Sequence, residues 1–463
     1  MAYDLSKGKY LVVGLGVTGM ALVDFLTGRG MTLIGLEELS EENFRKAKKK
    51  FEGKDVRFYF GALEEGVFEN LKGVFVSPGV PPTRPWNDEA KRRSIPVMGE
   101  LELASRFLQG KIIAVTGTNG KSTTVSLLHD ILKAGGFSSS LKGNIGSPLL
   151  TAVGEPPRNY YVVEASSYQL ETIGGGATGG GGATGGCFHP VISVVLNVTA
   201  DHLERYPDME AYASAKARIF MNQSGGDFFI YNADDMYCVR MAREAPCKAI
   251  PFSLVNRFDE GGFVDRGDMV IRLAKEMRYP FSTCSLKGLH NQENMLAAIL
   301  SATLVGVDPA AISGALKEFK TLHHRLEEIG TFRGVKFYDD SKGTNVGSVV
   351  MSLASFEDNV ILILGGRDKG GDYAPLIPLI RGKAKAVIVL GEARDKIASS
   401  LSAVKPIHRV ETMKEAVQKS FEIGEPGDTV LLSPACSSFD RYKNYAERGD
   451  DFKKWVFCLG AKE

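Results

Sequence analysis

Residues 112–123 read Ile-Ile-Ala-Val-Thr-Gly-Thr-Asn-Gly-Lys-Ser-Thr, IIAVTGTNGKST. A β-branched apolar run (112–115) ends on a hydroxyl residue and glycines, and a helix-forming run (124–133) begins directly after the lysine and its two hydroxyl neighbours. Strand, glycine turn and helix in that order make a phosphate loop. Gly117, Thr118, Asn119 and Gly120 present backbone N–H groups, Lys121 supplies a mobile cation for β and γ oxygens, and Ser122 or Thr123 can set a hydroxyl on Mg²⁺. The loop is tighter than the strict pattern, because Val115 rather than glycine stands five positions before Gly120.

The texture on either side of the loop is the same. Short apolar runs at 10–13, 32–36, 74–76, 160–163, 192–196, 360–364, 386–390 and 429–432 alternate with amphipathic stretches, which predicts an α/β protein with mostly parallel sheets. A chain of 463 residues is too long for one core and predicts about three domains. Seams at 96–99 and at 321–325 divide it into residues 1–98, 99–322 and 323–463. The expected architecture is a Rossmann-like N-terminal domain, a central P-loop ATPase-like domain and a Rossmann-like C-terminal domain. The tract 174–186 is almost pure Gly, Ala and Thr, buries little apolar surface and reads as a flexible insertion.

Composition excludes several classes. Basic and acidic residues number 56 and 55, so the net charge of +1 calls for neither nucleic acid nor an anionic membrane. No apolar run reaches the ~20 residues that cross a bilayer, and the polar first residues lack a signal-peptide core, so a cytoplasmic monomer is expected. The six cysteines are scattered without zinc spacing.

Two further groups of residues stand at strand ends. Gly14, Gly16 and Gly19 form G-x-G-x-x-G between a strand and a helical run, with Glu37 and Glu38 ending the next strand. This turn suits any pyrophosphate ligand: a nicotinamide or flavin cofactor, a nucleotide-sugar, or none if the glycines serve only packing. Glu164 follows the strand at 160–163, and Asp201 and His202 follow the one at 192–196, on the edge where the phosphate loop opens. Glu164 and His202, together beside the phosphate loop, read as a metal shell for Mg²⁺. Lys216, on an amphipathic run, reads by itself as a solvated lysine.

The segments GTNGKST, EASSYQLE, NVTADHLERY and HNQENMLAA resemble the muramyl ligase family, to which folylpolyglutamate synthetases also belong, and the resemblance runs nearly the whole chain. YDDSKGTN (338–345), LGGRDKG (364–370) and SPACSSFDRYKNYAERG (433–449) are similar to its D-glutamate-adding branch. The resemblance implies an ATP-dependent ligase that joins D-glutamate to UDP-N-acetylmuramoyl-L-alanine through an acyl phosphate in peptidoglycan precursor synthesis. UDP would be held by Gly14, Gly16, Val17, Thr18 and Gly19 with Ser77 and Gly79, and the muramoyl part by Asn144. Two Mg²⁺ would be bound by Ser122, Glu164, His202 and a carbamylated Lys216. Asn291, Arg325 and Asp340 would reach ATP from the far side, and Lys342, Thr344, Lys369, Ser438, Phe439 and Tyr445 would receive D-glutamate. The catalytic residues implied are Lys121, Glu164, His202, Lys216 and Lys342.

Two departures stand out: the glycine tract interrupts the stretch after SSYQLET, and Glu37-Glu38 occupies a place where some relatives carry a basic contact to UDP. ATP residues on two segments imply domain closure, with hinges at both seams. Three other readings explain less. An oxidoreductase leaves the phosphate loop idle, a folylpolyglutamate-type ligase needs no N-terminal nucleotide fold, and a nucleotide sensor has no use for Lys121, Glu164, His202 and Asp340 together.

Overall fold

The computed structural model describes residues 5, 7–175, 187–286, 288–320, 322–402 and 404–460. The insertion expected at 174–186 therefore lies outside the described residues apart from its first two positions, as does residue 321 of the second seam.

Three sheets follow one another along the chain. The first holds β1 (Lys9–Val13), β2 (Thr32–Glu37), β3 (Val56–Phe60), β4 (Leu71–Val76) and β5 (Val97–Gly99), all parallel, in the order β3-β2-β1-β4-β5. The second holds β6 (Lys111–Thr116), β7 (Ser139–Gly143), β8 (Tyr160–Glu164), β9 (Pro190–Val195), β10 (Phe228–Asn232), β11 (Lys248–Ser253), β12 (Gly261–Asp265), β13 (Asp268–Arg272) and β14 (Glu276–Pro280). Their order is β14-β13-β12-β11-β10-β9-β6-β8-β7, with only the two outermost pairings at the β14 end antiparallel. The third holds β15 (Glu327–Phe332), β16 (Val335–Asp339), β17 (Val360–Gly365), β18 (Ala384–Leu390), β19 (Ile407–Arg409) and β20 (Thr429–Leu432), ordered β15-β16-β20-β17-β18-β19.

The central strands are buried on both faces, which is why they appear in the sequence as unbroken apolar runs rather than as alternation. The antiparallel edge at 261–280 escaped that reading, since β12 opens on two glycines, β13 has only three apolar residues between charged ends, and β14 carries charge at alternate positions with one residue buried.

Register explains where the chemistry gathers. Val115 pairs with Glu164, Thr116 with Val195, and Gly143 with Glu164, so the ends of β6, β7, β8 and β9 share one edge of the sheet. Ligands of open parallel sheets bind at that carboxyl edge.

The two seams differ physically. A single buried apolar cluster runs from Tyr10, Leu22 and Phe75 through Leu103 and Leu149 to Tyr161 and Phe229, so the first two sheets share a core across the seam at 96–99. The third sheet keeps its own clusters on its two faces. Its junction with the second runs through His324 and Leu326, non-glycine residues with φ of 62° and 45°. Contacts across that junction are polar, and opening it exposes little apolar surface. The first seam is thus cemented by the hydrophobic effect, and the second is held by polar contacts.

Glu100, at the start of the helix Glu100–Ser105 in the first seam, is buried and accepts a hydrogen bond from the backbone N–H of Leu150, with its Oε2 unpartnered. Burial pushes its carboxyl up from 4.5 to about 7. The folded state therefore holds this proton over a range where the unfolded chain has released it, and stability falls as pH rises from about 4.5 through about 7. Glu100→Gln, which keeps the acceptor and removes the charge, should stabilise the protein by roughly 2 kcal/mol at pH 8 and by much less at pH 5. Thermal melts at the two pH values check this, and an equal shift at both would refute it.

Candidate active site at the junction of the central and C-terminal sheets

The phosphate loop turns at two glycines that no other residue can replace. Gly117 and Gly120 have φ of 153° and 87°, and a Cβ on Gly120 would lie 2.1 Å from Asn294 Oδ1. Asn197, just beyond β9, holds the turn: its backbone oxygen accepts from Thr118 N at 2.9 Å and its Oδ1 from Asn119 N at 2.8 Å. Lys121 heads the helix Lys121–Ala134 and folds back over the loop, donating to the carbonyls of Gly117 and Thr118 at 2.8 and 2.7 Å.

Lys216 is not a solvated lysine. It lies on the helix Met209–Ala217, is 1% exposed, and donates to Gly117 O at 2.9 Å with the Tyr212 ring 4.3 Å from its nitrogen. Its neighbours on that helix are mostly small and alternate little in polarity, so the sequence carried no sign of its burial. Burial first, and then the nearby charge of Lys121, push its amine well below the ordinary lysine range.

Glu164 ends β8 and is buried. Its Oε1 accepts from Asn144 Nδ2 at 2.7 Å, while Oε2 has no hydrogen-bond partner. Burial alone would raise its pKa, but Lys121 and Lys342 outweigh that and hold it below the ordinary value. Lys342, from the C-terminal domain, donates to Ser122 Oγ at 2.8 Å, so an ammonium group stands beside the loop hydroxyl and the unsatisfied carboxylate. The Ser122 hydroxyl and the free Oε2 of Glu164 are oxygen donors of the kind Mg²⁺ takes, at a point where the Lys342 ammonium stands in this structure.

His202 stands apart from that pair. Its backbone is left-handed (φ 57°), its Nδ1 lies 2.8 Å from the Tyr168 hydroxyl, and its Nε2 is 3.6 Å from Asp201. Burial pushes the imidazole below its usual range, against the pull of Asp201, and leaves it neutral and able to ligate. Among the described residues a compact group of His and carboxylate side chains occurs elsewhere, at His324, Glu327 and Asp339. The Lys453 ammonium already sits 2.8 Å from Glu327 there, so the group is an internally neutralised anchor of the second seam.

The C-terminal domain closes over the loop through polar side chains. Asn345 caps the helix Val346–Ala354 through its Oδ1, bonded to Ser348 N at 2.7 Å, and its Nδ2 donates to Asp201 Oδ2 at 3.0 Å. Ser348 Oγ donates to Asn119 Oδ1 at 2.7 Å, and Lys369 lies 3.5 Å from Asp201. A nine-residue helix thus aims its positive end at the phosphate loop from the opposite domain.

A cavity of about 1000 Å³ opens between the two domains. Asn119, Gly120, Thr123, His202, Asn291, Arg325, Asp340, Thr344 and Lys369 line it, whereas Gly117, Thr118, Lys121 and Ser122 lie behind its wall. Asp340 is buried and accepts from Ser352 and Ser433 at 2.6 and 2.7 Å, and burial pushes its carboxyl up to about 6. Lys342 and Tyr445 face a smaller neighbouring cavity instead. Ser438 is buried and Phe439 exposed, and neither lines either space. The six residues expected to receive D-glutamate therefore do not form one pocket.

The residues expected to hold UDP converge better. Gly14, Gly16, Val17, Thr18, Ser77, Gly79 and Asn144 line a separate cavity of about 490 Å³ at the N-terminal domain. Gly19 does not reach it: a Cβ there would lie 1.8 Å from Gly14 O, so this glycine lets the helix pack on β1. Glu37 is committed to the loop, accepting from Leu15 N at 2.8 Å and from Leu39 N and Ser40 N at 3.2 Å.

Sequence reasoning passed over Asn197, Asn345 and Ser348, and gave Asp201 no role of its own. The first two and Asp201 stand inside the motifs quoted above, but an asparagine that bonds backbone looks no different in sequence from one that does not.

Comparison with known proteins agrees with this geometry. Residues 8–99 match the Mur ligase MurD-like N-terminal domain, 115–302 the Mur ligase middle domain, and 324–436 the Mur ligase glutamate ligase domain. The chain is similar to a UDP-N-acetylmuramoylalanine–D-glutamate ligase of Trichlorobacter lovleyi, with 39% identity over 97% of this chain and 98% of the relative. One from Geotalea daltonii is 40% identical over 98% of each. Among solved structures, MurF ligase of Thermotoga maritima in complex with ADP has a TM-score of 0.60 at 15% identity, covering 99% of this chain and 97% of that one. UDP-N-acetylmuramate-alanine ligase of the same organism gives 0.58 at 19%, covering 98% and 100%. At such identities these two structures establish likeness of fold.

Proposed function

Because the chain belongs to the Mur ligase family, we propose that it joins D-glutamate to UDP-N-acetylmuramoyl-L-alanine with hydrolysis of ATP to ADP and phosphate. The observation that carries the reading is the junction itself: phosphate loop, unsatisfied Glu164 and buried Lys216 on one domain face Lys342, Lys369 and a helix N-terminus on the other. That is a cleft for phosphoryl transfer between anions, closed from a second domain. No helix among the described residues is long and apolar enough to cross a membrane.

A carboxylate cannot acylate an amine directly, since oxide would be its leaving group. The L-alanyl carboxylate attacks the γ-phosphorus, ADP departs, and the resulting acyl phosphate is attacked by the D-glutamate amine with loss of phosphate. Lys121, the loop N–H groups and the end of the helix Val346–Ala354 lower the repulsion between carboxylate and triphosphate. Asn144 orients Glu164 by its 2.7 Å hydrogen bond. Magnesium, for which Ser122, Glu164, His202 and a carbamylated Lys216 are the expected ligands at two sites, would supply charge neutralisation along the same path. Lys342, Thr344 and Lys369 would offer cations and a hydroxyl to the two carboxylates of D-glutamate, with Ser438, Phe439 and Tyr445 as further expected contacts. Asn291, Arg325 and Asp340 face the nucleoside end of ATP across the large cavity.

The test is ADP release with UDP-N-acetylmuramoyl-L-alanine and a panel of D-glutamate, L-lysine, meso-diaminopimelate and L-alanine. Release is expected with D-glutamate alone. Release that depends on another member would replace the substrate assignment and leave the fold untouched.

A further inference from the structure

The cavity at the N-terminal domain poses an electrostatic problem. Its walls bring Glu37 and Glu38 to the end of β2 and include no lysine or arginine among the described residues. A nucleoside diphosphate brings about two negative charges, and the N-terminus of the helix Val17–Thr27 offsets only about half of one. A cation has to come from just outside the lining.

Two arginines lie near enough to weigh. Arg205 donates to Val80 O at 3.1 Å, but its guanidinium is gripped by both oxygens of Glu171, and its side chain is only 9% exposed. Arg84 is different. It stands at the rim with its Nε 3.5 Å from Glu38 Oε2, close enough for attraction but without a hydrogen bond, and that Nε has no hydrogen-bond partner. Its backbone is fixed by the helix it precedes, Pro85–Arg92: Asn87 N donates to Arg84 O at 2.9 Å and Asn87 Nδ2 to Pro82 O at 2.6 Å. The guanidinium is thus an unspent donor on a rigid stem, tethered to the one wall carboxylate that the loop backbone does not occupy.

We infer that Arg84 is the cation that receives the diphosphate of a uridine-nucleotide substrate, and that Glu38 is the latch that parks the guanidinium at the rim until the nucleotide arrives. The inference rests on the reading that the substrate carries UDP. It also reconciles the acidic pair at the end of β2 with an anionic ligand, because the positive charge comes from the loop after β4.

Calorimetric titration of UDP into the full chain tests it, on the unchanged protein and on Arg84→Ala, Arg84→Gln, Arg84→Lys and Glu38→Gln, with melting temperature and ATP KM as controls. Loss of a charge-assisted contact predicts UDP binding about tenfold to a hundredfold weaker in Arg84→Ala and Arg84→Gln, and partial recovery in Arg84→Lys. The KM for the nucleotide substrate should rise in step, the ATP KM should hold, and the salt dependence of UDP binding should become shallower. Glu38→Gln should bind UDP as tightly as the unchanged protein or more tightly, because it removes a repulsive charge and frees the guanidinium. Binding within twofold of normal in either neutral Arg84 variant would overturn the inference. So would a loss in Glu38→Gln equal to that in Arg84→Ala, since the carboxylate itself would then be the contact. Failure of the unchanged protein to bind UDP would remove the substrate reading as well.

Discussion

Lys342→Ala is expected to lower kcat/KM for D-glutamate by about a thousandfold while the ATP KM stays within about threefold. Lys342 is the C-terminal cation that reaches furthest into the junction, 2.8 Å from Ser122 Oγ and beside Glu164, with its nitrogen 5.2 Å from the Tyr445 ring centre. Burial, with Arg325 adding repulsion, pushes its amine down to about 7 despite the pull of Glu164, so an incoming anion would stabilise its charge further. Without it, a substrate with two carboxylates meets Glu164 unscreened. ATP keeps Lys121, the loop N–H groups and Arg325, so its binding should change little. Steady-state kinetics varying each substrate in turn check this. Unaltered D-glutamate kinetics, or an ATP KM that rises in parallel, would sink the assignment.

Removing dissolved CO₂ is expected to reduce activity reversibly by roughly tenfold or more, and Lys216→Ala should lose about a thousandfold in kcat. Only a neutral amine adds to CO₂, and burial together with the Lys121 charge keeps the Lys216 amine far below its ordinary pKa. The carbamate would turn a buried neutral amine near Gly117 O into an anion, giving Lys121 an attractive neighbour and Mg²⁺ an anionic ligand. Isotope-labelled CO₂ should mark the unchanged protein and not Lys216→Ala. A bare amine in fully active protein, seen by mass or density, would exclude the idea.

The polar character of the second seam bears on both results. Asn119, Asp201, Asn345 and Ser348 bond to one another across the junction, and Lys342 bonds Ser122. These are the same groups that phosphates and metal would engage. Substrates therefore compete with the contacts that hold the junction closed, and opening exposes polar groups that water satisfies. The first seam, carried by an apolar core, has no such exchange available. The hinge expected at 96–99 is thus the weaker of the two expectations.

The central strands were legible because both faces of their sheets are covered, so each had to be an apolar run, and several of these runs end in a glycine or a hydroxyl residue; the short and edge strands, such as β7 and β12–β14, left no such mark. The phosphate loop and the UDP turn were legible for a related reason: positive φ and close approach demand glycine at Gly14, Gly117 and Gly120, and that demand is written in residue type. Composition and spacing determined the fold class and the nucleotide-handling edge, which follow from local geometry, whereas the full set of candidate ligands, Lys216 above all, came from the resemblance to the family. Tertiary structure alone decided that Lys216 is buried rather than solvated, that Gly19 packs rather than binds, that Lys342 crosses to Ser122, and that Arg84 stands on Glu38. Apart from Gly19, which packs on nearby Gly14, each concerns a charge whose state depends on groups tens to hundreds of positions away. Electrostatic energy depends on distance in space and on burial, and neither is a property of a residue's neighbours in sequence.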